Sequence, residues 1–169
     1  MVQEGKAVTS SSRFLEILRF GLFGAIGFGI GSYMFEGFFI YIVFLAGAIG
    51  GLALGLAMRD WKKAKYLALA GAVGYFIGFA VSSFGGFSDI VVRAKAYATF
   101  GAITGASLGF TFKDWKRVLI LAVAGGIGFF IGALIYLFNI SLKGPPYSES
   151  VSPFIIFIGL IGGLFLGLA

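Results

Sequence analysis

Residues 47–61 read GAIGGLALGLAMRDW and residues 101–115 read GAITGASLGFTFKDW, with Gly, Leu, Asp and Trp in register. Residues 159–169, GLIGGLFLGLA, follow the pattern of 47–57 and stop where the Arg-Asp-Trp segment would begin. A second motif precedes each copy: GAIGFGIG from Gly24, GAVGYFIG from Gly71 and GGIGFFIG from Gly125. Two alternating motifs, each met three times, predict three tandem helical hairpins, the third truncated at its last turn. Because each unit holds two helices, the copies run parallel about a pseudo-three-fold axis, which disfavours inverted-repeat transporter architectures.

The solvent for these hairpins follows from composition. Of 169 residues, 59% are hydrophobic and 12% charged, 28 are glycine, and the mean hydropathy is +1.01. A water-soluble domain carries about twice that charge fraction. Apolar spans can be drawn over 14–35, 37–58, 61–84, 90–112, 115–138 and 153–169. In the second alone, Phe38, Phe39, Ile40, Ile42, Val43, Phe44, Leu45 and four further aliphatic residues sum to an insertion free energy on the order of −5 kcal/mol. The sixth is shorter, with Ser152 as a plausible N-cap and Pro153 at the first helical position. The expected fold is therefore an all-α integral membrane protein: six transmembrane helices as three parallel hairpin repeats, about 14–58, 61–112 and 115–169, with GxxxG packing. A cytoplasmic N-terminal segment, 1–13, precedes this single domain.

Orientation follows from the basic residues. With the N-terminus inside, only Arg93, Lys95 and Lys143 of the 13 Lys and Arg residues fall outside, which places both termini in the cytoplasm. The expected location is a prokaryotic cytoplasmic membrane. The first span leads through Gly31-Ser32-Tyr33 into another span without an Ala-x-Ala site, so it reads as a retained helix rather than a cleaved signal. The net charge of +6 lies between apolar spans, as membrane topology requires, and no nucleic-acid partner is expected.

Glycines four apart share a helix face and let another backbone approach, which matters where lipid removes the hydrophobic drive between helices. The even spans carry Gly47/Gly51/Gly55, Gly101/Gly105/Gly109 and Gly159/Gly163/Gly167; the odd spans carry Gly27/Gly31, Gly74/Gly78 and Gly128/Gly132. These read as packing seams. The even-span stripes are expected to meet Ala64, Ala68 and Ala72 of span three, and Ala122 and Gly126 of span five. A ligand groove or a homo-oligomer seam is the alternative.

At the two inner turns, Asp60 and Asp114 are placed to N-cap the next helix. Trp61 and Trp115 are placed at headgroup level, and Lys62 and Lys116 against lipid phosphates. Arg93 and Lys95, in the first turns of span four, read as snorkelling residues or as an outer site for an anion or an acidic partner, with Glu36 opposite. The hydroxyls Thr99, Thr104, Ser107 and Thr111 in the same span read as bonded back to their own helix, with pore lining as the alternative. Residues 139–153 form the longest polar connection, with a weak glycosylation acceptor at Asn139-Ile140-Ser141. The 21 phenylalanines read as facing outward around glycine-lined grooves, which suits lipid or a flat hydrophobic pigment.

Zero Cys and zero His remove thiol and imidazole chemistry, and the seven acids form no close pair. No catalytic residue, metal or other cofactor is expected, and the protein reads as a non-enzyme. No ionisable residue falls at the bilayer centre, which argues against proton relays and ion-coupled transport. The expected role is a structural or accessory subunit of a larger membrane complex, or a lipid-organising scaffold, whose partners are lipids and other integral membrane subunits. The alternative is a passive channel or small-solute translocation component with Arg93 and Lys95 at its mouth.

Overall fold

The computed structural model describes residues 10–33, 40–83, 90–143 and 152–169. They form six α-helices: α1 (Ser10–Tyr33), α2 (Ile40–Ala57), α3 (Trp61–Ser83), α4 (Ile90–Phe110), α5 (Trp115–Lys143) and α6 (Ser152–Leu168). Among the described residues there is no strand. Two helices start or end away from the expected positions. α1 begins at Ser10, four residues before the first apolar span, so the end of the leading segment is itself helical. α5 runs to Lys143, so the connection expected from residue 139 begins as helix. Ile140 and Leu142 continue the apolar pattern there.

The helices close into a ring in chain order, each packing on its two neighbours in sequence and α6 packing on α1. Two kinds of seam alternate. In α2·α3, α4·α5 and α6·α1 the backbones are closest, because glycine faces backbone. Gly47 meets the carbonyl of Gly71, Gly51 that of Leu67, and Gly55 the backbone of Ala64. Gly101 meets Gly125, Gly105 meets Leu121, and Gly109 meets Val118 in the same sense. In α6·α1, Gly163 meets Gly24 and Gly167 meets Phe20. The remaining seams carry the odd-helix glycines: Gly27 lies against Gly50 and Ala53, Gly74 against Thr104 and Ser107, Gly78 against Phe100, Gly128 against Gly162 and Phe165, and Gly132 against Ile158. Falling numbers on one helix meet rising numbers on the next, so neighbours are antiparallel around the ring.

The closing seam is slipped. The motifs put Gly159 where Gly47 and Gly101 stand, yet Gly163 is the residue that meets Gly24. Within α5·α6 the motif register is kept, since Gly162 lies under Phe129 as Gly50 lies under Phe28. The displacement is one helical turn, about 6 Å at 1.5 Å per residue. Short turns fix α2 against α3 and α4 against α5, whereas α6 and α1 have no such link. Because glycine recurs every fourth residue of α6, a one-turn slip brings another glycine into the seam.

The outside of the ring is apolar. Leu15, Leu22, Tyr66, Leu69, Leu119, Val123 and Phe138 are among many large hydrophobic residues left exposed. Stretches Trp61–Ser82 and Trp115–Ile135 are long and apolar enough to cross a bilayer, and Ile17–Ile30, Tyr41–Ala57 and Ile156–Leu168 are shorter apolar stretches.

Candidate functional site

The ring has a filled centre. The fifth residue of each odd-helix motif is aromatic, Phe28, Tyr75 and Phe129, and all three point inward, where Phe100 of α4 joins them. Phe28 stacks on Tyr75 at 6.1 Å, Tyr75 meets Phe100 edge-on at 4.3 Å, Phe100 meets Phe129 at 5.1 Å, and Phe129 returns to Phe28 at 6.4 Å. None is more than 7% exposed. Edge-to-face pairs contribute about 0.5–1.5 kcal/mol each beyond the area they bury. Gly50 and Gly162 make room beneath Phe28 and Phe129; the aligned residue in α4 is Thr104, and here Phe100 supplies the fourth ring. The outward reading of phenylalanine is thus corrected for Phe28, Phe100 and Phe129, while Phe14, Phe110 and Phe138 do face outward. An aromatic residue at one motif position in all three copies was the signal for an inward layer.

The Ser and Thr hydroxyls of α4, and that of Thr111 in the turn after it, all donate within the protein. Thr99 donates to the Lys95 carbonyl at 3.0 Å, buried Thr104 to Phe100 at 2.9 Å, and Thr111 to Leu108 at 2.7 Å. Ser107 instead crosses to α3 and donates to the Ala70 carbonyl at 2.7 Å. Sequence spacing gave no sign of that partner, 37 residues away.

Below the aromatic layer, at the end where α2 and α4 finish and α3 and α5 begin, lies a half-open chamber of about 640 Å³. Buried Leu54, Leu108 and Leu166, at aligned motif positions, line it together with Phe20, Leu67 and Leu121, also mutually aligned. Met58 and Phe112 stand further out, and Arg117 is the one charged side chain among the described residues that line it. The Arg117 guanidinium lies 5.0 Å from the Phe112 ring centre, and its Nε is 3.8 Å from Asp114, with more than half of the side chain exposed. The chamber went unnoticed in the sequence because its leucines are ordinary members of apolar helices.

The turns beside the chamber are built alike. Arg59 and Lys113 follow α2 and α4 with φ of 55° and 53°, the left-handed cap that commonly ends a helix and usually falls to glycine. Asp60 and Asp114 then cap the next helix. The Asp60 carboxylate accepts from the Lys62 and Lys63 N–H groups at 3.0 and 3.1 Å, and Asp114 accepts from Lys116 N–H at 2.9 Å. Lys63 Nζ also stands 3.6 Å from Asp60. The Lys63 N–H, foremost, and its ammonium with the Lys62 N–H hold the Asp60 carboxyl below the usual carboxylate range. A depressed pKa contributes stability above the unfolded-state value, and that contribution goes as pH falls through the folded-state value. Thermal unfolding from pH 6 to pH 2 should therefore show the gap between wild type and Asp60→Asn closing only below the ordinary carboxylate range. Lys113→Gly should raise stability by roughly 0.5–1 kcal/mol, since glycine enters the left-handed region without the Cβ penalty; denaturant titration in detergent reads it.

The indole rings of Trp61 and Trp115 lie on the outside, 60% and 70% exposed. Trp61 carries Lys65 Nζ 6.0 Å from its ring centre, and Trp115 meets Phe110 edge-on at 5.3 Å. Lys62 and Lys116 are exposed, as are Arg93 and Lys95 on the opposite end of the ring. Glu36 and the expected loop centre, residues 144–151, lie outside the described residues. The even-helix stripes meet Ala64 and the backbone of Leu67, Ala68 and Gly71, while Gly126 sits beside Ala98 and Ala102, off the stripe. Gly159 is buried, and Gly31 lies in α1. Among the described residues no group of three acidic, His or Cys side chains is placed to hold a metal.

No protein-family model matches this chain, and no curated protein or solved structure matches it.

Proposed function

We propose that this chain is a multi-pass integral membrane protein whose six helices, paired as three hairpins, form a sealed scaffold: an accessory subunit of a larger membrane complex or an organiser of lipid. The observation that carries the reading is an apolar surface on both sides of every helix wall, inward and outward. A soluble protein rarely exposes such an area, whereas hydrocarbon solvates it freely. Residues 20–33, 40–58, 66–83, 96–112, 118–142 and 152–169 carry no Asp, Glu, Lys or Arg, which fits bilayer depth. The turn end, with Lys62, Lys63, Lys65, Lys116 and Arg117, is then the cytoplasmic end by the charge rule. There Trp61 and Trp115 anchor at the headgroups and Asp60 and Asp114 set the turns.

Against a channel stand the four-ring layer across the axis and the internally bonded hydroxyls of α4. Packed rings across the axis leave no file of water. Liposomes carrying the protein should release trapped glycerol, chloride or phosphate no faster than protein-free liposomes, with Arg93→Ala indistinguishable from wild type. Solute release that depends on Arg93 would return the weight to a translocation component.

A further inference from the structure

We propose that the chamber at the turn end is a binding site for an amphiphile with one apolar chain and an anionic headgroup, carboxylate or phosphate. The inference rests on the membrane reading above and names what that scaffold holds. A chamber of about 640 Å³ lies within the size range of small-molecule sites. Its inner wall, from Leu54, Leu67, Leu108, Leu121 and Leu166, offers water no polar partner, and the nearby Thr111 hydroxyl is committed to the Leu108 carbonyl. Water is held in such a space only by several polar partners, and an empty apolar space forfeits the contacts of its lining atoms. A methylene chain supplies those contacts.

Polarity fixes the other half of the ligand. Among the described side chains of the lining Arg117 alone is charged, and it shares the chamber with the end of α6 at Gly167 and Leu168 and with Ala169. Its guanidinium rests over Phe112, and its carboxylate partner is loose at 3.8 Å and well exposed. A planar fork in that position matches carboxylate or phosphate oxygens in pairs. Exposed ion pairs of this length hold little energy, so an incoming anion displaces Asp114 at small cost.

The test uses the full chain in phosphatidylcholine liposomes with two photoreactive probes: a fatty acid with a diazirine near its tail, and phosphatidylglycerol bearing the same group on one acyl chain. We expect saturable labelling of Met58, Ile120 or Leu168, about tenfold weaker in Arg117→Gln and only partly restored in Arg117→Lys, which keeps the charge without the fork. Arg117 is exposed, so neither variant threatens the fold. The probe that labels the chamber identifies the source as free acid or bilayer lipid, and either supports the proposal. Labelling spread over outward residues such as Leu69 and Leu119, no saturable labelling by either probe, or equal labelling of Arg117→Gln would overturn it. Flotation of the same liposomes separates the two claims: protein that floats without chamber labelling removes this inference alone, and protein that does not float removes the membrane reading with it.

Discussion

Gly105→Leu is expected to prevent assembly of the folded ring in detergent, and Gly105→Ala to lower its stability by about 2–3 kcal/mol, the upper part of the usual overpacking range. A Cβ at Gly105 would fall on the carbonyl oxygen of Leu121, which is backbone and is held in the hydrogen bonds of α5. No rotamer change relieves that overlap; the two helices must separate along the whole seam. Gly51→Leu meets the same obstacle at the Leu67 carbonyl. The control lies on the next helix. A Cβ at Gly126 finds its nearest neighbours, Ala102 Cβ and the Ala98 carbonyl oxygen, at 3.4 Å. Gly126→Ala should therefore be neutral or gain up to about 1 kcal/mol of helix propensity. Equal melting temperatures for Gly105→Leu and wild type would contradict the seam.

Phe129→Ala should cost about 3 kcal/mol, near the low end of the range for deleting a buried aromatic ring. On the membrane reading proposed above the low end applies, because in a bilayer the water-transfer part of the cost is reduced and the lost packing remains. Phe129 is 1% exposed, touches both Phe28 and Phe100 in the aromatic layer, and sits over Gly162. The double variant Gly162→Ala/Phe129→Ala should recover part of the loss, since the added methyl enters the space the ring leaves. Additive losses from the two substitutions would show that the ring and the glycine are not partners.

Much of this architecture was written in the spacing of residues. Glycines four apart announced the close seams, and an aspartate before Trp61 and Trp115 announced the caps, because both depend on neighbours within one helix or turn. The facing surfaces were harder to read. Helices apolar all round have no stripe to orient them, so the alanine face expected opposite the even-helix glycines is met at Ala64 and at the Ala68 backbone, while the Leu67 carbonyl beside Gly51 has no sign in the sequence. The same uniformity hid the inward turn of Phe28, Phe100 and Phe129. The one-turn slip of α6 on α1 had no local signal at all: a four-residue repeat is satisfied equally by either register, and only closure of the ring selects Gly163 over Gly159. The Arg117 chamber likewise arises from five leucines on five different helices, a juxtaposition that no window of sequence contains.

We propose that the chain works as a sealed membrane scaffold in company with other subunits or lipid. Native mass spectrometry of the protein released gently from its own membrane tests it most directly, with the 17.9 kDa chain as the mass to follow. The account predicts that the chain leaves the membrane bound to larger subunits or carrying a defined complement of lipid. A lone chain stripped of both, under conditions that keep other membrane complexes intact, would contradict it.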